Sequence, residues 1–161
     1  MTVTSVEKDY DNLKLVLTAD FTAPIEQVWQ LWSDPRKLER WWGPPTWPAT
    51  FEQFDFVPGG RISYYMTGPD GERSGGWWQV DEVNPPSLFA FTDGFAGPDG
   101  DPIESLPQMK ATADLTTTDS GTRMTITSQF ASIEHMKQLE SMGVVEGMTL
   151  AASQMDAILA E

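Results

Sequence analysis

The stretch Ala23-Pro24-Ile25-Glu26-Gln27-Val28-Trp29, with Pro35-Arg36-Lys37-Leu38-Glu39-Arg40-Trp41-Trp42-Gly43-Pro44 close behind it, decides how this chain is read. Pro24 fits the first turn of a helix, where its missing N–H has no intrahelical partner to lose. Ile25, Val28, Trp29 and Trp32 then fall at helical spacing and make one apolar face. Ser33-Asp34-Pro35 stops that helix and starts another, with Asp34 placed to cap it. Gly43-Pro44-Pro45 ends the second helix.

Working outward, Leu13, Leu15, Leu17, Ala19 and Phe21 alternate with Lys14, Thr18 and Asp20, the period of a half-buried strand. Residues 1–12 read as a polar lead-in. On the other side five or six strands follow, beginning with Phe51–Phe56 and Arg61–Met66, separated by the Pro58-Gly59-Gly60 turn. Pro69-Asp70-Gly71 is a strong hairpin signal, because Gly accepts positive φ and Pro presets its own. Gly76–Val83 ends at Asn84-Pro85-Pro86, and Leu88–Thr92 runs into a loop holding Gly94, Gly97, Pro98, Gly100 and Pro102. Met109, Ala111, Ala113 and Leu115 alternate with polar residues, as do Met124, Ile126, Ser128 and Phe130 after Asp119-Ser120-Gly121. Consecutive strands on short turns predict an antiparallel meander.

Ser132 is placed to cap a further helix, in which Ile133, Met136 and Leu139 make a short apolar stripe interrupted near Gly143. Val145, Met148, Ala152, Met155 and Leu159 then recur every three or four residues, the seam of a helix laid against another surface. The order of strand, two short helices, many strands and one long helix predicts an α+β fold. A curved antiparallel sheet wraps around a long C-terminal helix, and two short helices follow the first strand. A single domain over 13–161 is expected, with no repeats, low-complexity tracts or linkers.

The chain has 161 residues, 40% of them apolar, with seven Trp, eight Phe and eight Met: a large apolar volume for one domain. Ten Lys and Arg against 24 Asp and Glu give a net charge of −14. Such a surface repels phosphate backbones and anionic headgroups, so nucleic acid is not an expected partner. There is no cysteine, which excludes disulfide and thiolate chemistry. The polar N-terminal residues lack the apolar core of a signal, and no apolar run approaches a membrane span, so a cytoplasmic protein without membrane insertion is expected.

At the level of motifs the chain resembles the START-like, polyketide-cyclase-like (SRPBCC, Bet v-like) superfamily. Within it, the chain is similar to the C-terminal domain of the activator of the heat-shock-protein-90 ATPase. The residues that carry the resemblance are Ala23–Trp29, Trp41-Trp42-Gly43-Pro44, Pro58-Gly59-Gly60 with Arg61, Pro69-Asp70-Gly71, Val83-Asn84-Pro85-Pro86 and the helix from Glu146-Gly147. The resemblance implies the helix-grip fold and an internal cavity rather than a shared catalytic set. The chain departs from the family pattern at two places where a Trp is common, Asp93 and Met148, and both changes imply a cavity of altered shape or polarity.

A sheet curved around one amphipathic helix leaves space where its widest point meets small or flexible side chains, and Met148, Ala152 and Met155 supply that combination. Trp42, Phe56, Tyr64, Trp78, Phe91 and Met109 are the expected facing residues. The same residues would equally fill a solid core. Arg61 opens a strand beside a Gly pair and is the charged candidate for anchoring a ligand carboxylate, or else an outward surface residue. Trp41 and Trp42, adjacent on a helix, point different ways: one to the core, the other over the cavity mouth or a partner surface.

Catalytic constellations are missing. The single His135 excludes a multi-histidine metal site, Asp99-Gly100-Asp101 lacks the rest of a calcium loop, and no Ser lies in a nucleophile elbow. No metal or cofactor is expected. The expected function is therefore binding of a small hydrophobic or amphipathic molecule between sheet and C-terminal helix. Two alternatives stand beside it. One is a cyclase-, aromatase- or dehydratase-like enzyme in which Tyr64, Tyr65, Arg61 and Asp93 place the charge. The other is a co-chaperone-like partner of the heat-shock-protein-90 system, for which the additional N-terminal domain of eukaryotic activators has no counterpart in the 12 residues before the first strand. A homodimer is compatible with all three.

Overall fold

The computed structural model describes residues 3–161. Eight strands form one antiparallel sheet: β1 Val3–Asp9, β2 Lys14–Phe21, β3 Ala49–Phe54, β4 Arg61–Thr67, β5 Arg73–Asn84, β6 Leu88–Ala96, β7 Met109–Thr118 and β8 Gly121–Phe130. Their order across the sheet is β1-β2-β8-β7-β6-β5-β4-β3. After β2 the chain leaves for the far edge and meanders back from β3 to β8, which closes against β2 from Lys14↔Gln129 to Phe21↔Thr122. The helices α1 Ile25–Ser33 and α2 Pro35–Leu38 make that crossing, so they lie over the sheet's inner face.

The expectation that 1–12 is a lead-in is corrected: Val3–Asp9 is the edge strand β1, paired with β2. A register shift between Val3 and Ser5 breaks its period-two pattern, and only Val3 is buried, so the strand looks polar in sequence. Its Glu7, Lys8 and Asp9 suit an edge, where charge discourages pairing with another chain. Met1 and Thr2 lie outside the described residues. Bulges in β3 between Phe51 and Gln53 and in β5 between Val80 and Glu82 add bend to the sheet.

The helix-grip architecture is as the sequence predicts, with two refinements. Asp34 caps α2 by accepting from the Arg36 N–H at 3.0 Å, but the helix ends at Leu38 and continues to Trp42 only as hydrogen-bonded turns. The closing helix is three segments: α3 Ile133–Ser141, α4 Val144–Ala152 and α5 Met155–Leu159. Ser132 caps α3 through the His135 N–H at 3.1 Å. Gly143, at φ +86°, takes a left-handed conformation that breaks α3 from α4. Among the described residues no helix is long and apolar enough to cross a membrane.

Alternation along the strands turns one face toward these helices. Trp32, on α1 and fully buried, sits at the centre of an aromatic cluster, 4.8 Å from Trp41, 5.8 Å from Phe89 and 6.1 Å from Phe91 by ring centroid. Trp78 closes on Phe91 at 4.3 Å and on Trp42 at 4.7 Å. A second, smaller core of Leu15, Met109, Phe130, Met136 and Leu139 lies beneath α3. Met148 packs against both cores.

Candidate functional site

A cavity of about 350 Å³ lies between the sheet, the Trp41–Pro44 loop and the α3–α4 junction. Its origin is a mismatch of side-chain size. Ala111 on β7 and Ser128 on β8 point inward where neighbouring strands present Phe91 and Trp78, and α4 offers Gly147 and Ala151 opposite. Val144, Gly147, Met148 and Ala151 share one face of α4, at the spacing that places side chains over one another. Close packing of the two cores cannot bridge so many small residues, and Met148 alone reaches in from the middle of the helix. Met142, half exposed at 50%, marks the edge where the cavity meets solvent.

Of the residues expected to face it, Trp42, Tyr64, Phe91, Met109 and Met148 do. Five do not. Phe56 stacks on Phe54 and packs on Phe89 and Trp29, at the far side of the aromatic cluster. Arg61 points the other way, because β4 alternates and turns Ile62 and Tyr64 inward; its guanidinium lies 4.7 Å over the Trp77 ring on the outer face. Trp78 is fully buried within the cluster. Ala152 and Met155 are fully buried in the main core, past the helix face that borders the cavity.

The tryptophan pair also differs from expectation. Both rings turn inward and both border the cavity, packed edge to face at 5.6 Å. The helix has already ended, so the rotation that would separate adjacent side chains no longer applies. The Trp41 indole N–H donates to the Leu31 carbonyl at 2.8 Å, and Gln154, between α4 and α5, donates to the carbonyls of Trp41 and Gly43 at 3.3 and 2.6 Å. The closing helices are thereby tied to the loop that carries both rings.

The polar element of the site is Asp93. Phe89, Phe91, Asp93 and Phe95 occupy alternate positions of β6, so the carboxylate takes an inward place between aromatic rings. The sequence ends this strand at Thr92, since an acidic residue before glycine resembles a turn; in the structure it runs on to Ala96. Tyr64 on β4 donates its hydroxyl to Asp93 Oδ1 at 3.3 Å. The ring crosses β5 to do so, and Gly76 permits it: a methyl group there would overlap the end of the tyrosine ring.

Burial sets the chemistry of this pair. Asp93 keeps some accessible surface, but that surface faces the cavity. Loss of hydration raises its carboxyl from the ordinary 3.8 to about 7. Donation from Tyr64 offsets this only in part, as do the nearby N–H groups of Trp78 and Gly94. The Trp78 indole makes no formed hydrogen bond and acts by proximity. Burial, and then the Asp93 charge, push the Tyr64 hydroxyl well above its ordinary value, so it stays a neutral donor. Two further buried polar atoms in residues of the wall, Trp42 Nε1 and Ser128 Oγ, have no hydrogen-bond partner among the described residues. Buried groups of that kind call for one.

Tyr64→Phe removes the donor that lowers Asp93, so the Asp93 carboxyl is expected to titrate higher than in the parent protein. Gly76→Ala should act in the same direction by pushing the ring aside. Carboxyl carbon-13 NMR titrations of the three proteins check this; superimposable curves would show that the contact does not form in solution.

His135 borders none of this; it is half-buried in the first turn of α3. Among the described residues no group of three His, Asp or Glu side chains converges as a metal site would require.

Comparison with known proteins places this geometry among relatives. The family described as activator of Hsp90 ATPase homolog 1-like protein matches residues 22–160. A crystal structure of a protein from Mycobacterium smegmatis is 46% identical, with 98% of this chain and 96% of that one covered and a TM-score of 0.90. A solution structure of a protein from Arthrobacter aurescens is 49% identical, covering 99% and 92%, at a TM-score of 0.95. A crystal structure from Rhodobacter sphaeroides, 23% identical over 97% of each chain with a TM-score of 0.82, shares the fold. No curated protein matches the chain.

Proposed function

Because this chain belongs to the activator of Hsp90 ATPase homolog 1-like family, whose fold is consistent with ligand binding in a cavity, we propose that it binds a small, largely hydrophobic molecule between the sheet and α4. The observation that carries this reading is the cavity of about 350 Å³, bordered mainly by aromatic, Met, Ala and Gly residues with a few polar groups on one side. That combination is typical of small-molecule sites, where apolar walls supply affinity and a few polar atoms fix orientation. Leaving such a volume between two cores forfeits dispersion contacts that larger side chains would restore. An amphipathic ligand would recover those contacts and give Asp93, Tyr64 and Ser128 a partner.

Native mass spectrometry of protein purified from its host, followed by thermal-shift screening against lipophilic compounds, tests the reading. A bound mass, or Tm increases with compounds of matching size, is expected. Clean apoprotein together with a silent library would count decisively against it.

A specific observation favours a second reading, catalysis of proton transfer on the bound molecule. A carboxyl that titrates at about 7 is matched to acid–base work near neutral pH. Conversion of a captured ligand to a new mass by the parent protein, and its loss in Asp93→Asn, would support this second reading; an unchanged ligand would remove it.

A further inference from the structure

We propose that the cavity takes a protonated hydrophobic amine, its ammonium seated against the Asp93 carboxylate and its apolar part filling the space beside Ala111, Gly147 and Met148. The inference rests on the reading of the cavity as a ligand site and adds the charge class of the ligand. Three observations point to a cation. Among the described residues no Lys, Arg or His borders the cavity, so a ligand carboxylate would meet Asp93 with none of these groups to receive it. Asp93 has one formed side-chain hydrogen bond among the described residues, the long one from Tyr64, which leaves its ionised form poorly compensated. Trp42 and Tyr64 border the same cavity, and aromatic rings attract cations through their quadrupoles. The net charge of −14 also concentrates cations around the molecule before binding.

A neutral alcohol would supply one hydrogen bond and leave a charged Asp93 as costly as before. An ammonium relieves that cost, so the amines alone gain affinity as pH rises. Among the described residues, Tyr64 on β4 is the one titratable group facing Asp93. Trp78 on β5 and Met109 on β7, the register partners of Asp93, and Met148 on α4, which borders the same cavity, bring no charge. The carboxylate titrates at about 7, so about nine-tenths of it is ionised at pH 8 and about one-hundredth at pH 5. If only the ionised form holds the ammonium, apparent affinity scales with that fraction and falls about a hundredfold between those pH values.

The test uses matched probes in two series, naphthylethylamine, naphthylethanol and naphthylpropionate, then octylamine, octanol and octanoate. Binding is followed by calorimetry at pH 5 and pH 8. The amines are expected to bind about a hundredfold more tightly at the higher pH, with alcohols flat or falling and acids falling. In Asp93→Asn the rise for the amines should vanish, which separates a seated ammonium from loose attraction to an acidic surface. Alcohols that bind while amines show no rise with pH would overturn the amine assignment and leave the cavity reading standing. Absence of binding by all six probes at both pH values would overturn both. The pH dependence in the parent protein decides the matter even if the variant folds poorly.

Discussion

Asp93→Asn is expected to stabilise the protein, and by more at pH 8 than at pH 5. The folded-state pKa of Asp93 is raised from 3.8 to about 7, so its protonated form is the one the fold favours. Below pH 4 the group is protonated in both folded and unfolded chains, and no penalty arises. Between 4 and 7 the folded chain holds a proton that the unfolded chain has released, so stability falls as pH rises. Above 7 both forms are ionised and the penalty levels off at about 4 kcal/mol, an upper bound because the cavity admits water. Asparagine is nearly the same size, still accepts from Tyr64 and never ionises. The gap between variant and parent should therefore widen by about 2–3 kcal/mol from pH 5 to pH 8. Urea unfolding of both proteins at the two pH values measures it, and subtracting one protein from the other cancels the remaining carboxylates. A gap that stays constant with pH would show that Asp93 titrates as an ordinary surface carboxyl and would remove the electrostatic basis of the amine assignment.

That a carboxylate is tolerated here at all bears on how the chain reads. The strands are legible because period two survives in most of them, and the caps at Asp34 and Ser132 are legible because their chemistry is local. Asp93 reads instead as the end of a strand, since a buried acid among aromatic rings contradicts the composition rules by which strands are recognised. The continuing alternation Phe89, Phe91, Asp93, Phe95 is the available signal. Arg61 shows the converse: its neighbour Tyr64 faces inward three positions on, so strand parity alone sends the guanidinium outward. On the closing helix the apolar seam through Met148, Ala152 and Met155 is visible. The division between cavity wall and solid core is not, because Ala151 and Ala152 differ by one step of about 100°. The opposing small residues Ala111 and Ser128 are register partners on the β7–β8 hairpin, and the alternation of neither strand says which helix residues they meet. A cavity made by several small side chains meeting across a sheet and a helix is a three-dimensional coincidence that no single segment encodes.

Met148 is where that coincidence can be undone. Its side chain bridges the two cores at the middle of the α4 face, so a larger ring there enters the cavity rather than solvent. Met148→Trp, the residue that the family resemblance leads one to expect at this position, is therefore expected to weaken binding of lipophilic ligands by at least tenfold, about 1.4 kcal/mol or more. The same ring should recover packing that methionine leaves unmade, raising the stability of the ligand-free protein by about 1 kcal/mol. Gly147 and Ala151 flank the position on the same helix face and give the indole room to lie along the wall. The paired outcome is what discriminates. Filling a cavity trades affinity for stability, whereas overpacking a solid core lowers stability and leaves any surface site unaffected. Chemical denaturation and ligand titration on one preparation of each protein read both quantities. Loss of stability with unchanged affinity would place the ligand outside this cavity and return Met148 to an ordinary core contact.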